Sequence, residues 1–141
     1  MGNDSEAEVE AKKADRSGRN KSDPVVRGLI AFIGIHSCTL GALMLFAPHF
    51  MVRVFGFSQT ASIFFPSQGG IFLLILGVCY LLALREPALV KVILISKAFA
   101  VVFLFAHAAF LSAPPSIWAA AAGDTAMLVA LSAALFKRRC L

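Results

Sequence analysis

Four apolar runs dominate the chain: residues 29–47, 69–84, 89–111 and 117–136. The first is 19 residues without a formal charge, and the second is 16. A hydrocarbon core about 30 Å thick takes about 20 helical residues to cross. In lipid every backbone N–H and C=O must find its partner inside the segment, so runs of this length cross as helices. The sequence therefore predicts an all-α fold, a four-transmembrane-helix bundle behind a disordered N-terminal tail. The expected spans are about 26–47, 67–84, 89–111 and 117–136, which makes 24–141 a single transmembrane domain. Composition excludes a soluble core. The chain is 59% apolar, against about 45–50% for a soluble domain.

Charge separates the tail from the body. Residues 1–23 carry six acids and five bases, whereas residues 24–141 carry two acids, Glu86 and Asp124, and eight bases. The tail has too few large apolar groups to offset the entropy of ordering. Its stretch 4–14 supports at most a short fraying helix, with Glu8 and Lys12 paired at i,i+4. Asp23-Pro24 reads as a helix start, with Asp as the cap and Pro in the first helical position. The first run exceeds the roughly 7–15 residues of a cleavable signal core and is read as a retained span. "MGNDSE" does not support myristoylation, and Cys140 stands too near the end for prenylation.

Lysines and arginines alternate in side along the chain. Tail residues and Arg27 lie before the first span, Arg85 and Lys91 between the second and third, and Lys137, Arg138 and Arg139 after the fourth. The intervening connections carry Arg53 or no base at all. Both termini are thus expected in the cytoplasm. The first outer connection, "PHFMVRVFGF", gathers Phe50, Met51, Val54 and Phe55 at helical spacing. It reads either as a short interfacial helix with Arg53 toward water or as a loop over the bundle mouth. No basic stripe with interleaved aromatics exists, which argues against nucleic acid. Cys38, Cys79 and Cys140 have no C-x-x-C spacing, which argues against a disulfide scaffold or a cysteine-rich zinc site.

Small residues should mark the contact faces, because lipid is as apolar as leucine. Gly34, Ser37 and Gly41 share a face of the first span. Gly70 and Gly77 nearly align on the second. Ala119, Gly123, Ala126, Ala130 and Ala134 form a stripe on the fourth. The third carries bulk instead, in Phe99, Phe103 and Phe110.

Polar residues at depth are the functional candidates. Counting about 1.5 Å per residue places His36 about 3 Å, Lys97 about 4–5 Å and Tyr80 about 5–6 Å to the cytoplasmic side of the midplane, and Asp124 about 3–4 Å to the outer side. His107 lies further out, on the helical face of Ser96. A charge at the bilayer centre costs about 2.5–3.5 kcal/mol on insertion scales, so Lys97 requires a remedy. Asp124 is the sole carboxylate within the spans. However, side chains lean toward their helix N-terminus, and the third and fourth spans run oppositely. That lean separates Lys97 from Asp124. It favours snorkelling or a water- or histidine-bridged network, while a pair with Asp124 inside the bundle and a hydrogen bond to Tyr80 or His36 stay open. His36 and His107 differ in depth by about 13 Å, too far to share one haem iron. His49 and His107 lack a third metal ligand. No cofactor, metal or enzymatic constellation is expected.

The segments "RGLIAFIGIHSCTLGALMLFAPHFMVRVFGF" and "GGIFLLILGVCYLLALREP", with "ISK" at 95–97 and "GD" at 123–124, resemble small four-helix bacterial membrane proteins of the BphX-like or DoxX-like kind. The resemblance spans about residues 26–137 and implies a membrane bundle, with no assigned chemistry; the tail at 1–23 lies outside the pattern. Two functional readings follow from the residues. One is a structural or accessory protein acting through protein contacts, with the bilayer and either a second copy or another membrane protein as partner. The other is an oligomeric ion- or proton-coupled carrier using Asp124 and Lys97.

Overall fold

Five of the six prolines stand at or just before the start of a helix. In the computed structural model, which describes residues 24–58, 62–110 and 113–140, the elements run α1 (Pro24–Phe46), α2 (Pro48–Val54), α3 (Phe64–Leu82), a 3₁₀ turn (Pro87–Leu89), α4 (Val90–Phe110) and α5 (Pro115–Cys140). Proline fixes φ in the helical range, and its missing N–H costs nothing in a first turn where that group has no intrahelical partner. Pro66 obeys the same rule two residues deeper, in the first turn of α3. No proline interrupts a span. The expectations for residues 1–23, including the Asp23 cap and the 4–14 helix, lie outside the described residues.

Four helices are long and apolar enough to cross a membrane, with mean hydropathies between 1.6 and 2.4. The chain is an integral membrane protein. The second span reaches 19 residues because α3 begins at Phe64, within "FFPSQGG"; at 1.5 Å per residue that is about 28 Å. Large apolar side chains cover the outside of the bundle. Phe46, Phe72, Phe99, Phe110 and Phe136 are all exposed, as a lipid-facing surface requires.

The first connection is helical. In α2, Met51 is buried while Phe50, Arg53 and Val54 are exposed. The helix ends in a glycine with φ of 77°, a left-handed conformation that a Cβ disfavours. Around Gly56 the Phe57 N–H donates to the Val52 carbonyl at 3.0 Å and the Gly56 N–H to the Arg53 carbonyl at 2.9 Å. This pair of bonds is a Schellman cap.

Two helix pairs build the bundle: α1 packs on α3, and α4 on α5, with sparser contact between the pairs. The α1–α3 seam is made by glycine. A Cβ on Gly41 would come within 2.5 Å of the Leu74 nitrogen and 2.8 Å of the Gly70 carbonyl oxygen. A Cβ on Gly77 would lie 2.7 Å from the Cys38 nitrogen. The two backbones thus touch directly along the faces that the glycine spacing marked. The α5 stripe behaves differently. A Cβ on Gly123 would meet nothing within 4 Å, and Ala119 and Ala126 are exposed. Its small side chains leave space where contact was expected.

That space makes the bundle asymmetric along its length. Ile33, Ile93 and Leu131 are fully buried and, with Val26, Ile30, Tyr80 and Ala83, form the core at the end where α1 begins and α5 finishes. This is the terminal end; the other is the α2 end. At the terminal end Arg27 also donates to the Leu84 carbonyl at 3.2 Å, tying α1 to the end of α3.

Gly41→Ala should destabilise the fold by about 1–3 kcal/mol, because the methyl meets backbone and cannot be accommodated by a rotamer change. Gly123→Ala should cost nothing measurable. Equilibrium unfolding in micelles compares them; equal stability of the two variants would contradict the seam.

Candidate functional site

Lys97 sits on α4 at the boundary between the packed terminal end and the looser α2 end. Its ammonium donates to Asp124 Oδ1 on α5 at 2.6 Å. The Lys97 side chain is 6% exposed and that of Asp124 16%, so the pair is withdrawn from the surface and lysine does not snorkel. This corrects the expectation drawn from side-chain lean. The lean fixes only the direction of the Cα–Cβ bond. Lysine carries its charge on a flexible four-carbon stem, long enough to reach against that direction. Energetics favour the reach: a lone intramembrane charge is costly, and a charge-assisted bond in low dielectric offsets part of the cost for both partners.

The other candidate residues divide around this pair. Tyr80 is buried on α3, with its hydroxyl 2.6 Å from Ser96 Oγ. Ser96 in turn donates to the Val92 carbonyl at 2.6 Å. A serine hydroxyl has one proton, so Tyr80 is the donor in the first bond. The chain Tyr80–Ser96–Val92 joins α3 to α4 and satisfies Tyr80 without Lys97. The expected set of His36, Tyr80, Lys97 and Asp124 is therefore one ion pair, one separate tyrosine–serine bond, and one histidine elsewhere. His107 and Ser96 likewise part company. Ser96 points to Tyr80, and His107 bonds within its own helix.

His36 and His107 both line a cavity of about 1170 Å³ in the α2 half of the bundle. All four spans contribute to its wall, as do the ends of the two connections at that end of the bundle. Lys97 and Asp124 border it toward the packed core. The Phe32 and His36 rings stack with centroids 6.2 Å apart. Phe103 and His107 lie 3.9 Å apart, tilted by 36°. His107 Nδ1 is 2.9 Å from the Phe103 carbonyl oxygen. A carbonyl only accepts, so this bond places a proton on Nδ1. Phe32 and Phe103 also remain 60% and 58% exposed, so the cavity is open and not sealed.

At the α2 end the two connections are stitched together. Ser116 Oγ donates to the Phe55 carbonyl at 2.5 Å, and Gly56 packs against Pro114, where an added Cβ would stand 3.1 Å from the proline ring. The Phe105 and Trp118 rings meet edge to face at 5.8 Å. The unpacked α5 stripe supplies the volume: Ala119, Gly123 and Ala126 all line the cavity.

Sequence reasoning did not find the cavity or one of its polar wall residues. Ser37 lies on the Gly34–Ser37–Gly41 face and was read only as a small contact residue. It is 1% exposed and lines the cavity. Its hydroxyl is the one buried side-chain polar atom without a hydrogen bond among the described residues. A hydroxyl at mid-span beside a histidine was the available signal. Among the described residues no three His, Cys, Asp or Glu side chains converge as a metal site needs. No protein-family model matches the chain, and neither a curated protein nor a solved structure matches it.

Removing one partner of the ion pair should be costly, and removing both much less so. Lys97→Met and Asp124→Asn should each lose about 3–5 kcal/mol, as for other buried pairs broken on one side. The double variant should recover about half or more of the summed loss. Additive losses in reversible unfolding in micelles would show that the two residues are not coupled.

Proposed function

We propose that this multi-pass membrane protein is an accessory protein that binds a small lipophilic molecule in its intramembrane cavity. The observation that carries the reading is the division of the bundle along its length. The terminal end is packed around Ile33, Ile93 and Leu131, while the α2 end encloses about 1170 Å³ with an ion pair at its floor. Ordinary small-ligand sites occupy about 300–1,000 Å³, are largely apolar and carry a few convergent polar groups. The cavity is slightly larger than that range and matches the description in its aromatic and aliphatic wall and in the small number of its polar groups. A purely structural role through protein contacts would be served by a packed α2 half, since closer packing is what associates helices in lipid.

A carrier is the second reading, and the ion pair favours it. An intramembrane carboxylate and ammonium facing a cavity are the groups that proton and ion pathways use. Two features weigh against it. Asp124 is already paired with Lys97 at 2.6 Å, and the terminal end is packed around Ile33, Ile93 and Leu131.

Native mass spectrometry of delipidated protein incubated with undecane or methyl nonyl ketone tests the binding reading. A one-to-one complex with at least one of the two is expected. Gly123→Leu, which directs a large side chain into open space, should abolish it while leaving the protein folded. Absence of any stoichiometric complex, or its persistence in Gly123→Leu, would refute the reading. In proteoliposomes holding a pH gradient, no protein-dependent dissipation is expected. Dissipation that disappears in Asp124→Asn would establish the carrier instead.

A further inference from the structure

We infer that the cavity selects an uncharged lipophile whose head carries a carbonyl or hydroxyl group, anchored by Ser37 and the Lys97–Asp124 pair. This inference rests on the binding reading above and adds the chemistry of the ligand.

Three observations lead to it. The first is charge. Lys97 and Asp124 are the formally charged residues that line the cavity, and they are bonded to each other. Their formal charges cancel, so an incoming anion or cation finds no free counter-charge. Burying an uncompensated charge in low dielectric is far more costly than burying a hydrogen-bonded neutral group. The cavity is therefore selective against ions.

The second is unused hydrogen-bonding capacity. An ammonium has three donors, and among the described residues Lys97 makes one bond, to Asp124 Oδ1. Asp124 Oδ2 has no partner among them. The Ser37 hydroxyl, 1% exposed, has none either. A helical serine usually satisfies itself on a carbonyl of the preceding turn, as Ser96 and Thr125 do here. Ser37 does not, although it stands in the same kind of helix. An unsatisfied buried polar group costs about 1–3 kcal/mol, so a ligand that bonds it recovers energy the empty protein has forfeited. Donors thus come from α1 and α4 and an acceptor from α5, all three residues lining the one cavity.

The third is the wall. Phe32, Leu40, Met44, Phe103 and Met127 surround the polar groups with apolar surface. Such a wall holds a hydrocarbon body and discriminates little between bodies of similar size. Discrimination then falls on the head.

The test is a native mass spectrometry titration of delipidated protein with five probes sharing one chain: methyl nonyl ketone, undecanol, undecane, undecanoate and undecylammonium. The ketone and alcohol should bind one-to-one about tenfold tighter than undecane, the worth of one net hydrogen bond. Both ions should bind more weakly than the ketone. Ser37→Ala should reduce ketone and alcohol affinity about fivefold, leave undecane unchanged, and raise the melting temperature of the ligand-free protein by removing an unsatisfied hydroxyl. Monolaurin, a glycerol ester, is the sixth arm. Binding tighter than undecanol identifies a neutral glycerolipid as the source of the head, and weaker binding identifies a free ketone or alcohol; both accord with an uncharged head. Undecane binding as tightly as the ketone, or an ion binding tightest, overturns the head-group inference and leaves the cavity a lipophile site. Failure of every probe in the wild-type protein, or a tightly held phospholipid that none displaces, overturns both.

Discussion

Lipid gives helices no hydrophobic reason to associate, so this bundle depends on how closely α1 and α3 can approach. The approach is set by glycine. Gly41 stands over the Leu74 nitrogen and the Gly70 carbonyl, and Gly77 over Cys38, at distances where a single methyl would collide with backbone. Dispersion between backbones is weak per atom but dense when two helices touch along several turns. This pair is the rigid half of the molecule. The α4–α5 pair has no comparable seam; Gly123 has open space where a Cβ would stand. It relies instead on one strong polar contact, the Lys97–Asp124 bond, and on the Tyr80–Ser96 bond that ties α4 back to α3.

The same small residues thus have opposite consequences on two helices. On α1 and α3 they face each other and vanish into contact. On α5 they face bulk from other elements, and the mismatch leaves volume. Ala119, Gly123 and Ala126 lie opposite walls contributed by Phe32 and Phe103. The Phe32 and Phe103 rings lie against His36 and His107 of their own helices and do not fill it. The cavity is a consequence of pairing a small stripe with large, constrained side chains. It lies in the α2 half because the terminal half is filled by the aliphatic residues Ile33, Ile93 and Leu131.

The fold was legible because its signals are one-dimensional. Run length, hydropathy and proline position each report on a single helix, and four spans follow from them without any knowledge of packing. The α1 and α3 glycine faces were legible for the same reason. The failures are those of partner choice. A small stripe announces that something can come close; it does not say what, and on α5 Ala134 meets the core while Gly123 faces open space. Ser37 looked like part of a contact face because it is, yet its hydroxyl is left over once the contact is made. The ion pair was obscured by extending a rule about Cβ direction to an atom several bonds further out. Tyr80 was grouped with Lys97 by depth, and its partner is Ser96, the residue before Lys97 on α4.

The position of the ion pair at the cavity floor links what fills the cavity to how firmly α4 and α5 hold together. Asp124 is the more accessible member, at 16% against 6% for Lys97, so the medium in the cavity reaches the carboxylate first. At about 4 Å two unit charges attract by about 1 kcal/mol in bulk water and by about 4 kcal/mol at an effective dielectric constant of 20. Water in the cavity therefore weakens the bond, and an apolar body that displaces it strengthens it. Coupling of this kind is reciprocal: a ligand that firms the α4–α5 contact is itself held more tightly by the amount it firms it. An ionic ligand would do the reverse, competing for Asp124 or Lys97 and loosening the ion pair between these helices. The neutrality of the ligand and the integrity of the α4–α5 pair are thus two expressions of a single salt bridge in a medium of variable polarity.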